Sequence, residues 1–242
     1  MAEMRDRIRR EQLRHGVASV VRDLILSRQV KPGDILRLGP IAEQLGISIT
    51  PVREALLLLA QDGWLAQEPN RGFLVLPTRR SDVEDIYLMW AAAEGAQASR
   101  AAQLATPADI EALHKVDAEL HNLDAQTPQR AIELNGDVHD TIHRIADAPK
   151  LQWFTDAARR LIPYEFWFEF YSVPGWLELN STDHTAIIDA IEAHDADAAG
   201  EAMRQHYVDT SRLLLNWLDS INFWDPEKDP RSEPQLVDRR NA

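Results

Sequence analysis

Two short helical segments joined by a tight turn constrain the fold of this chain more than any other feature. The first is expected at about 40–45 and ends at Gly46, because glycine accepts the left-handed conformation that closes many helices. The second is expected at 51–61, where Thr50 supplies the N-cap and Pro51 the first helical position. Two helices with this spacing predict a helix-turn-helix.

A β-hairpin is expected directly after the second helix. Short apolar strands are predicted at 64–67 and 73–76, and the Pro-Asn-Arg-Gly sequence at 69–72 supplies the turn between them. An amphipathic helix over 5–27 precedes the pair, with apolar residues at helical spacing. Residues 1–78 are therefore predicted to form a winged helix-turn-helix domain with a small hairpin as its wing.

Charge divides the 242-residue chain into a basic head and an acidic body. Residues 1–80 carry 13 basic and 9 acidic side chains, whereas residues 81–242 carry 13 basic and 30 acidic ones. Because phosphate attraction follows local charge, this asymmetry favours nucleic-acid binding by the head, although a solvated basic helix gives the same count. The absence of cysteine excludes disulfides, thiolate zinc fingers and cysteine nucleophiles. A charged N-terminus and short apolar runs favour a cytoplasmic protein.

The acidic body is expected to be entirely helical, which makes the fold class mostly α. A linker is predicted at 79–82, a helical bundle at 83–222, and a Pro-broken disordered tail at 223–242. Helical segments bounded by Pro and Gly are expected at 83–104, 107–124, 128–146, 149–171, 175–193 and 195–221.

The basic head closely resembles the winged-helix domain of GntR-family transcriptional regulators. Over about 5–77 it carries the Pro-Gly turn, the Ala-Glu-x-Leu-Gly helix, the Ser-x-Thr-Pro-Val-Arg-Glu-Ala-Leu start of the second helix, and the Arg-Gly wing tip. The resemblance implies that the second helix is a recognition helix for double-stranded operator DNA.

Several residues of this head are candidates for contacting DNA. Amides at a helix N-terminus attract phosphate, and an Arg in the first helical turn can read guanine bidentately. The candidate set is Arg37, Ser48, Thr50, Pro51, Arg53, Arg71 and Gly72. The alternative for Arg53 is a salt bridge to Glu54 or Asp62. Ile49 stands where the family commonly has Arg, which either allows contact with a thymine methyl group or lowers affinity.

The body carries seven of the eight histidines, and three of them form a suggestive pattern. Asn135 and His139 are four residues apart and share a helix face, while His184 and His206 fall on two later helices. Three neutral imidazoles and an amide oxygen can hold a divalent metal inside a bundle. The alternative is that these are surface or core-packing histidines.

Residues 83–222 resemble the helical FCD effector domain of the FadR subfamily of GntR regulators. The similarity lies in Asn135-x-x-x-His139, Asp183-His184-x-x-Ile187 and Met203-x-x-His206. It implies that Asn135, His139, His184 and His206 bind a divalent metal ion, with zinc or nickel favoured by the imidazole ligands. His143, four residues after His139, extends the same helix face; it is expected to pack in a partly exposed position, and the alternative is that it is a fifth neighbour of the metal ligands.

The resemblance also implies a small-molecule effector. The Arg that often pairs with an organic-acid effector falls at Trp90 in this chain, so Arg159 or Arg160 is a candidate for the missing cation. Tyr164 and Trp167 share a helix face that can line an effector pocket, although core or dimer packing is the alternative. The effector-binding candidates are thus Trp90, Arg159, Tyr164 and Trp167.

Together these features predict a cytoplasmic, homodimeric transcriptional regulator. Its partners are operator DNA and an organic acid-like effector that modulates operator binding, and no membrane partner is expected. Two alternatives stay open: a metal-dependent enzyme that uses the three histidines, and a DNA-binding protein with no effector. The sequence carries no His-Glu-x-x-His motif, phosphate loop or nucleophile elbow, which argues against the enzyme.

Overall fold

The computed structural model describes residues 2–26, 29–123, 128–161 and 173–224. These residues form two compact units, the first made mainly of residues before Arg80 and the second mainly of residues 80–218.

The first unit is a winged helix-turn-helix, as predicted. Its elements are α1 (Ala2–Leu26), β1 (Ile35–Leu36), α2 (Leu38–Leu45), α3 (Ile49–Gln61), β2 (Leu65–Glu68) and β3 (Gly72–Val75). The strands form an antiparallel sheet in the order β1-β3-β2, in which Ala66 and Ile35 both pair with Leu74. Helix α1 packs against α3, whose inward face buries Val52, Ala55, Leu56 and Leu59.

Helix α3 begins two residues earlier than predicted. Ser48 rather than Thr50 occupies the N-cap, so Pro51 is the third helical residue. Proline is tolerated there because the amides of the first helical turn have no partner inside the helix. Strand β1 was not predicted, since a two-residue strand shows no alternation.

The second unit is entirely helical in its described residues, again as predicted. It contains α4 (Arg80–Leu104), α5 (Pro107–His121), α6 (Pro128–Ala146), α7 (Pro149–Leu161), α8 (Trp176–Glu192) and α9 (Ala196–Ser220). Helix α4 packs against α6, α7 and α8 and forms the centre of the unit.

Three predicted boundaries of this unit can be compared with the structure, two of them only in part. Helix α4 begins at Arg80, so most of the expected linker 79–82 is its first turn. The expected end of the helix over 149–171 falls beyond Leu161, outside the described residues. The predicted tail over 223–242 also lies outside them except for its first two residues, of which Phe223 is buried and so does not belong to a disordered tail.

The N-terminus of α5 is a complete capping box. The Thr106 hydroxyl accepts from the Asp109 amide, and the Asp109 carboxylate accepts from the Thr106 amide at 3.0 Å. The Thr106 hydroxyl also donates to Asp109 Oδ2 at 2.6 Å, and this bond, the bond from the Thr106 amide and the bond from Arg144 lower the pKa of Asp109 to about 2. We expect Thr106→Ala to lower the free energy of unfolding by about 1 kcal/mol in urea denaturation at pH 7.

The same capping box predicts a pH dependence of that loss. Because the folded pKa of Asp109 is depressed, its contribution is present above the unfolded pKa of about 4 and disappears as the pH falls toward 2. Gln103→Ala, an exposed change near the end of α4, is the control. A Thr106→Ala variant as stable as this control at pH 7 would contradict the prediction.

Candidate functional site

Three buried histidines from three helices come together in the helical unit. His139 lies on α6, His184 on α8 and His206 on α9, and one ring nitrogen of each lies within 4.8 Å of the others. Their ring centroids are 5.0–5.5 Å apart. The three histidines singled out in the sequence thus occupy one place in the core.

Several buried polar atoms of this cluster have no hydrogen-bond partner in the described chain. Both ring nitrogens of His184 are buried and make no hydrogen bond to any described residue, and the ring is 0% exposed. The Oδ1 atom of Asn135, one turn before His139 on α6, is also buried without a partner in the described chain. A buried polar group without a partner costs about 1–3 kcal/mol, so these atoms make the cluster a candidate ligand-binding site.

Two carboxylates face the outer nitrogens of the histidine cluster. The Nδ1 of His206 lies 3.1 Å from Asp183 Oδ2, within hydrogen-bonding distance, and the Nδ1 of His139 lies 3.7 Å from Glu94 Oε2. A carboxylate on the far nitrogen fixes the tautomer of a metal-binding histidine and raises its basicity. For His206, the bond to Asp183 leaves Nε2 as the free ligand atom.

Burial keeps two of these imidazoles neutral. Desolvation lowers the pKa of His139, although Glu94 opposes the shift, and desolvation is the main cause that lowers the pKa of His184 well below its usual value. A neutral imidazole has the lone pair that a metal ion requires.

Glu94 is a central residue of this region that sequence reasoning did not assign. It is 0% exposed on α4, its Oε1 accepts from Trp90 Nε1 at 3.1 Å, and its Oε2 accepts from His143 Nε2 at 2.8 Å. Burial acts to raise the pKa of Glu94, but His139 and His143 outweigh it and the net pKa is lowered. His143 is a partly buried residue of α6, and its side chain, which is 7% exposed, binds Glu94.

The effector candidates have different fates. Trp90 is buried, and its ring packs against those of Tyr87 and Tyr207 at centroid distances of 5.6 and 5.0 Å. Arg159 is exposed near the end of α7, yet its charge partly offsets the burial that raises the pKa of Tyr207. Tyr164 and Trp167 lie outside the described residues.

Most DNA-contact candidates lie on the surface of the first unit. The exposed ones are Arg37, Ser48, Thr50, Arg53 and Arg71. Asp62, the alternative partner of Arg53, lies 3.9 Å from Arg22 instead. Ile49 is 49% exposed at the first position of α3, and Arg53 lies one turn further along the helix.

Two members of the DNA-contact set have roles in the fold itself. Pro51 was expected to contact DNA, but its side chain is buried against the rest of the domain. Gly72 has φ +125°, and a Cβ atom there would lie 2.3 Å from the Leu36 carbonyl oxygen of β1. The glycine is therefore required by the sheet itself, independently of any close approach to DNA.

No helix in the described ranges is both long enough and apolar enough to cross a bilayer.

Two family profiles match this chain and together cover both units. The family described as "Bacterial regulatory proteins, gntR family" matches residues 13–75, and the "FCD domain" matches residues 85–209, which is more than half of the chain.

Individual relatives agree with this assignment. The HTH-type transcriptional repressor RspR of Escherichia coli K12 is 28% identical over 86% of this chain and 92% of its own length. An HTH-type transcriptional regulator of Agrobacterium vitis is 37% identical, but over only 38% of this chain and 53% of its own length. The solved structure of E. coli McbR/YncC has a similar fold, with a TM-score of 0.60 and 23% identity over 85% of this chain and 98% of that one.

These findings also decide between the classes of function that the sequence left open. The matched families and the two curated relatives are transcriptional regulators and not enzymes, so the alternative of a metal-dependent enzyme is wrong. The chain belongs to the GntR family of DNA-binding transcriptional regulators, with the FCD domain that is typical of the FadR subfamily.

Proposed function

We propose that this DNA-binding regulator holds one divalent metal ion in its helical unit and binds a small-molecule effector beside it. The metal ligands are Asn135, His139, His184 and His206. Effector binding changes the affinity of the homodimer for its operator in the cytoplasm.

The observation that carries the metal proposal is the state of His184. A core imidazole that serves only packing has at least one hydrogen bond, whereas both nitrogens of His184 lack one among the described residues. Two more imidazoles each bring a ring nitrogen within 4.8 Å of one of its own, and Asn135 adds a buried amide oxygen without a partner in the described chain, one turn from His139. This donor set fits a metal ion better than it fits a packed core.

The ligand types favour zinc or nickel. Imidazole nitrogens suit late first-row divalent ions, and the neutral amide of Asn135 binds a hard cation such as Mg²⁺ more weakly than a carboxylate would. Three or four protein ligands leave room in the coordination sphere for a further ligand, and a bound metal ion would supply a positive anchor for an effector carboxylate or hydroxyl.

The surroundings of the histidine cluster support an effector site. The ring of Tyr207 packs beside those of His139 and His206, and Trp90 packs against Tyr207. Arg159 provides an exposed cation whose charge acts on Tyr207. We assign Trp90 a shaping role, because its indole N–H already binds Glu94. Tyr164 and Trp167 complete the proposed effector set.

The first unit supplies the DNA contacts. We assign phosphate contacts to Arg37, Ser48 and Thr50 at the starts of α2 and α3, base reading to Arg53, and a groove or phosphate contact to Arg71 at the turn of the wing. All five side chains are exposed, as such contacts require.

Homodimer formation is supported by exposed apolar side chains on two adjacent helices. Leu88 and Met89 of α4 are 68% and 64% exposed, and Trp153 and Phe154 of α7 are 59% and 52% exposed. Helices α4 and α7 pack against each other, and exposed apolar surface of this kind is typical of a protein interface. A dimer presents two recognition helices to a pseudo-palindromic operator.

We therefore expect Phe154→Asp to convert the dimer to a monomer, because a charge at the centre of an apolar interface is not compensated. Light scattering with size-exclusion chromatography measures the mass directly. Val208→Asp, which alters an apolar side chain of similar exposure on α9, is the matched control and should remain dimeric. A Phe154→Asp protein of unchanged dimer mass would place the interface on another face.

The whole proposal is tested on the purified protein by elemental analysis followed by DNA binding. We expect about one equivalent of zinc or nickel per chain, which a chelator removes and added metal restores. Fluorescence anisotropy with DNA selected by the protein from a random pool then measures operator affinity with and without metal. A metal content well below one equivalent, with no uptake on adding Zn²⁺ or Ni²⁺, would contradict the metal assignment.

A further inference from the structure

A large apolar side chain is exposed at the start of the recognition helix. Ile49 is the first residue of α3 and is 49% exposed, more than Val20 on α1 or Leu57 on the same helix. The polar side chains of Ser48 and Thr50 on either side of it are also exposed. About half of this isoleucine is left in water, although burial of apolar surface favours folding.

Ile49 belongs to the outer face of α3. Exposed side chains recur every four residues along this helix, at Ile49, Arg53, Leu57 and Gln61, while the buried residues of α3 lie on the opposite side. A recognition helix presents its exposed face to the major groove, and its N-terminal residues reach the base edges. Ile49 therefore lies on the side of α3 that faces DNA, one turn before Arg53.

The chemistry of isoleucine favours one target in the major groove. Its side chain has no hydrogen-bond donor or acceptor, so it cannot bond a phosphate or the polar edge of a base. The apolar feature of the major-groove code is the C5-methyl group of thymine. Against any other base edge, Ile49 would displace water from donors and acceptors without replacing their hydrogen bonds, which costs free energy.

The spacing along α3 relates this contact to the one proposed for Arg53. Four residues of an α-helix advance about 6 Å along its axis, whereas successive base pairs of B-DNA are about 3.4 Å apart. When α3 lies along the groove, Ile49 and Arg53 therefore address bases about two base pairs apart.

We infer that Ile49 is a specificity-determining residue that selects thymine through its C5-methyl group, about two base pairs from the guanine read by Arg53. The inference rests on the proposed DNA contacts of α3 and adds a second base to the sequence that this helix reads. It also decides between the two roles that the sequence left open for Ile49, because an apolar side chain on this face gains affinity where thymine is present.

Deoxyuridine tests this contact because it lacks only the methyl group of thymidine. DNA is selected by the parent protein from a random pool, and each thymine of the selected sequence is replaced in turn by uracil, which keeps every hydrogen-bonding group. Fluorescence anisotropy then measures the affinity for each DNA. We expect the replacement of one thymine of a half-site, about two base pairs from a preferred guanine, to lower affinity about fourfold, as is typical of one buried methyl group.

Ile49→Ala identifies the side chain that contacts the methyl group. This variant should bind the thymine DNA about fourfold more weakly than the parent and should no longer distinguish thymine from uracil. Ile49→Val retains a branched apolar side chain and should keep a preference for thymine of about twofold or more. Because Ile49 is exposed, both variants should unfold at the same temperature as the parent. Val20→Ala, which shortens an exposed apolar side chain of α1, is the matched control and should keep the full preference.

Arg53→Ala, measured with the same DNA, separates failure of this inference from failure of the proposed DNA contacts. If Arg53→Ala weakens binding but Ile49→Ala keeps the thymine preference of the parent, only the inference about Ile49 is overturned. A parent protein that tolerates every uracil replacement, or that selects no thymine, overturns it as well. If neither variant changes the affinity for the selected DNA, α3 does not read the operator, and the proposed contacts of this helix are wrong together with the inference.

Discussion

Replacing His184 by Leu should abolish metal binding without destabilising the metal-free protein. His184 contributes one of the three clustered imidazoles. Removal of a residue that binds the metal directly lowers metal affinity by more than the 10- to 100-fold typical of residues that only orient the ligands. We therefore expect the affinity for Zn²⁺ to fall by about 100-fold or more, measured by competition with a chromophoric chelator.

The stability of the same variant distinguishes a metal ligand from a packing residue. Both ring nitrogens of His184 are buried without partners in the described chain, so the metal-free fold bears their desolvation cost. Leu has a similar volume and removes that cost. We expect the metal-free His184→Leu protein to unfold at a denaturant concentration equal to or higher than that of the metal-free parent, while the stabilisation by added zinc disappears.

His114→Ala is the matched control for both measurements. His114 is a partly exposed histidine of α5 that pairs with Glu192 at 2.9 Å, away from the cluster. This change should alter neither zinc affinity nor the response of stability to zinc. If the His184→Leu protein bound zinc like the parent, the assignment of the metal site to the three clustered histidines would be wrong.

The histidine cluster was predictable because its signal is carried by residue type. Asn135 and His139 share a face by their spacing, and the resemblance to FCD domains supplied His184 and His206 from distant segments. Spacing alone could not bring the three helices together, since the contact is made by tertiary packing of α6, α8 and α9.

The burial of Glu94 was not predictable, because it depends on tertiary contacts that leave no pattern in the sequence of α4. An acidic residue in a helix is usually solvated, and α4 is so rich in small residues that its sequence shows little difference between a buried and an exposed face. The burial of Glu94 depends on His143 and Trp90, which are assembled around it only in the fold. A buried acid of this kind is found by its contacts and not by its sequence neighbourhood.

Helix boundaries show a similar limit. Both Ser48 and Thr50 are good N-cap residues, and Pro51 is compatible with several positions of the first turn. Because Ser48 is the N-cap, α3 is two residues longer than predicted and begins at the exposed Ile49. Local propensity predicted the helix correctly but left its first residue open by two positions.

Replacing Arg53 by Ala should cause the largest loss of operator recognition. Arg53 is exposed in the second turn of the recognition helix, where a guanidinium can bond guanine O6 and N7 together. Loss of such a contact costs about 1–3 kcal/mol, or roughly 5- to 150-fold in affinity. Anisotropy with DNA selected by the parent protein should show this loss, together with weaker discrimination against scrambled DNA.

A pure phosphate contact would instead weaken binding to both DNAs equally and reduce the salt slope by about 0.9. Arg100→Ala, an exposed change in the helical unit, is the control and should leave both affinities unchanged. Parent-like affinity and discrimination in the Arg53→Ala protein would remove this residue from the DNA interface.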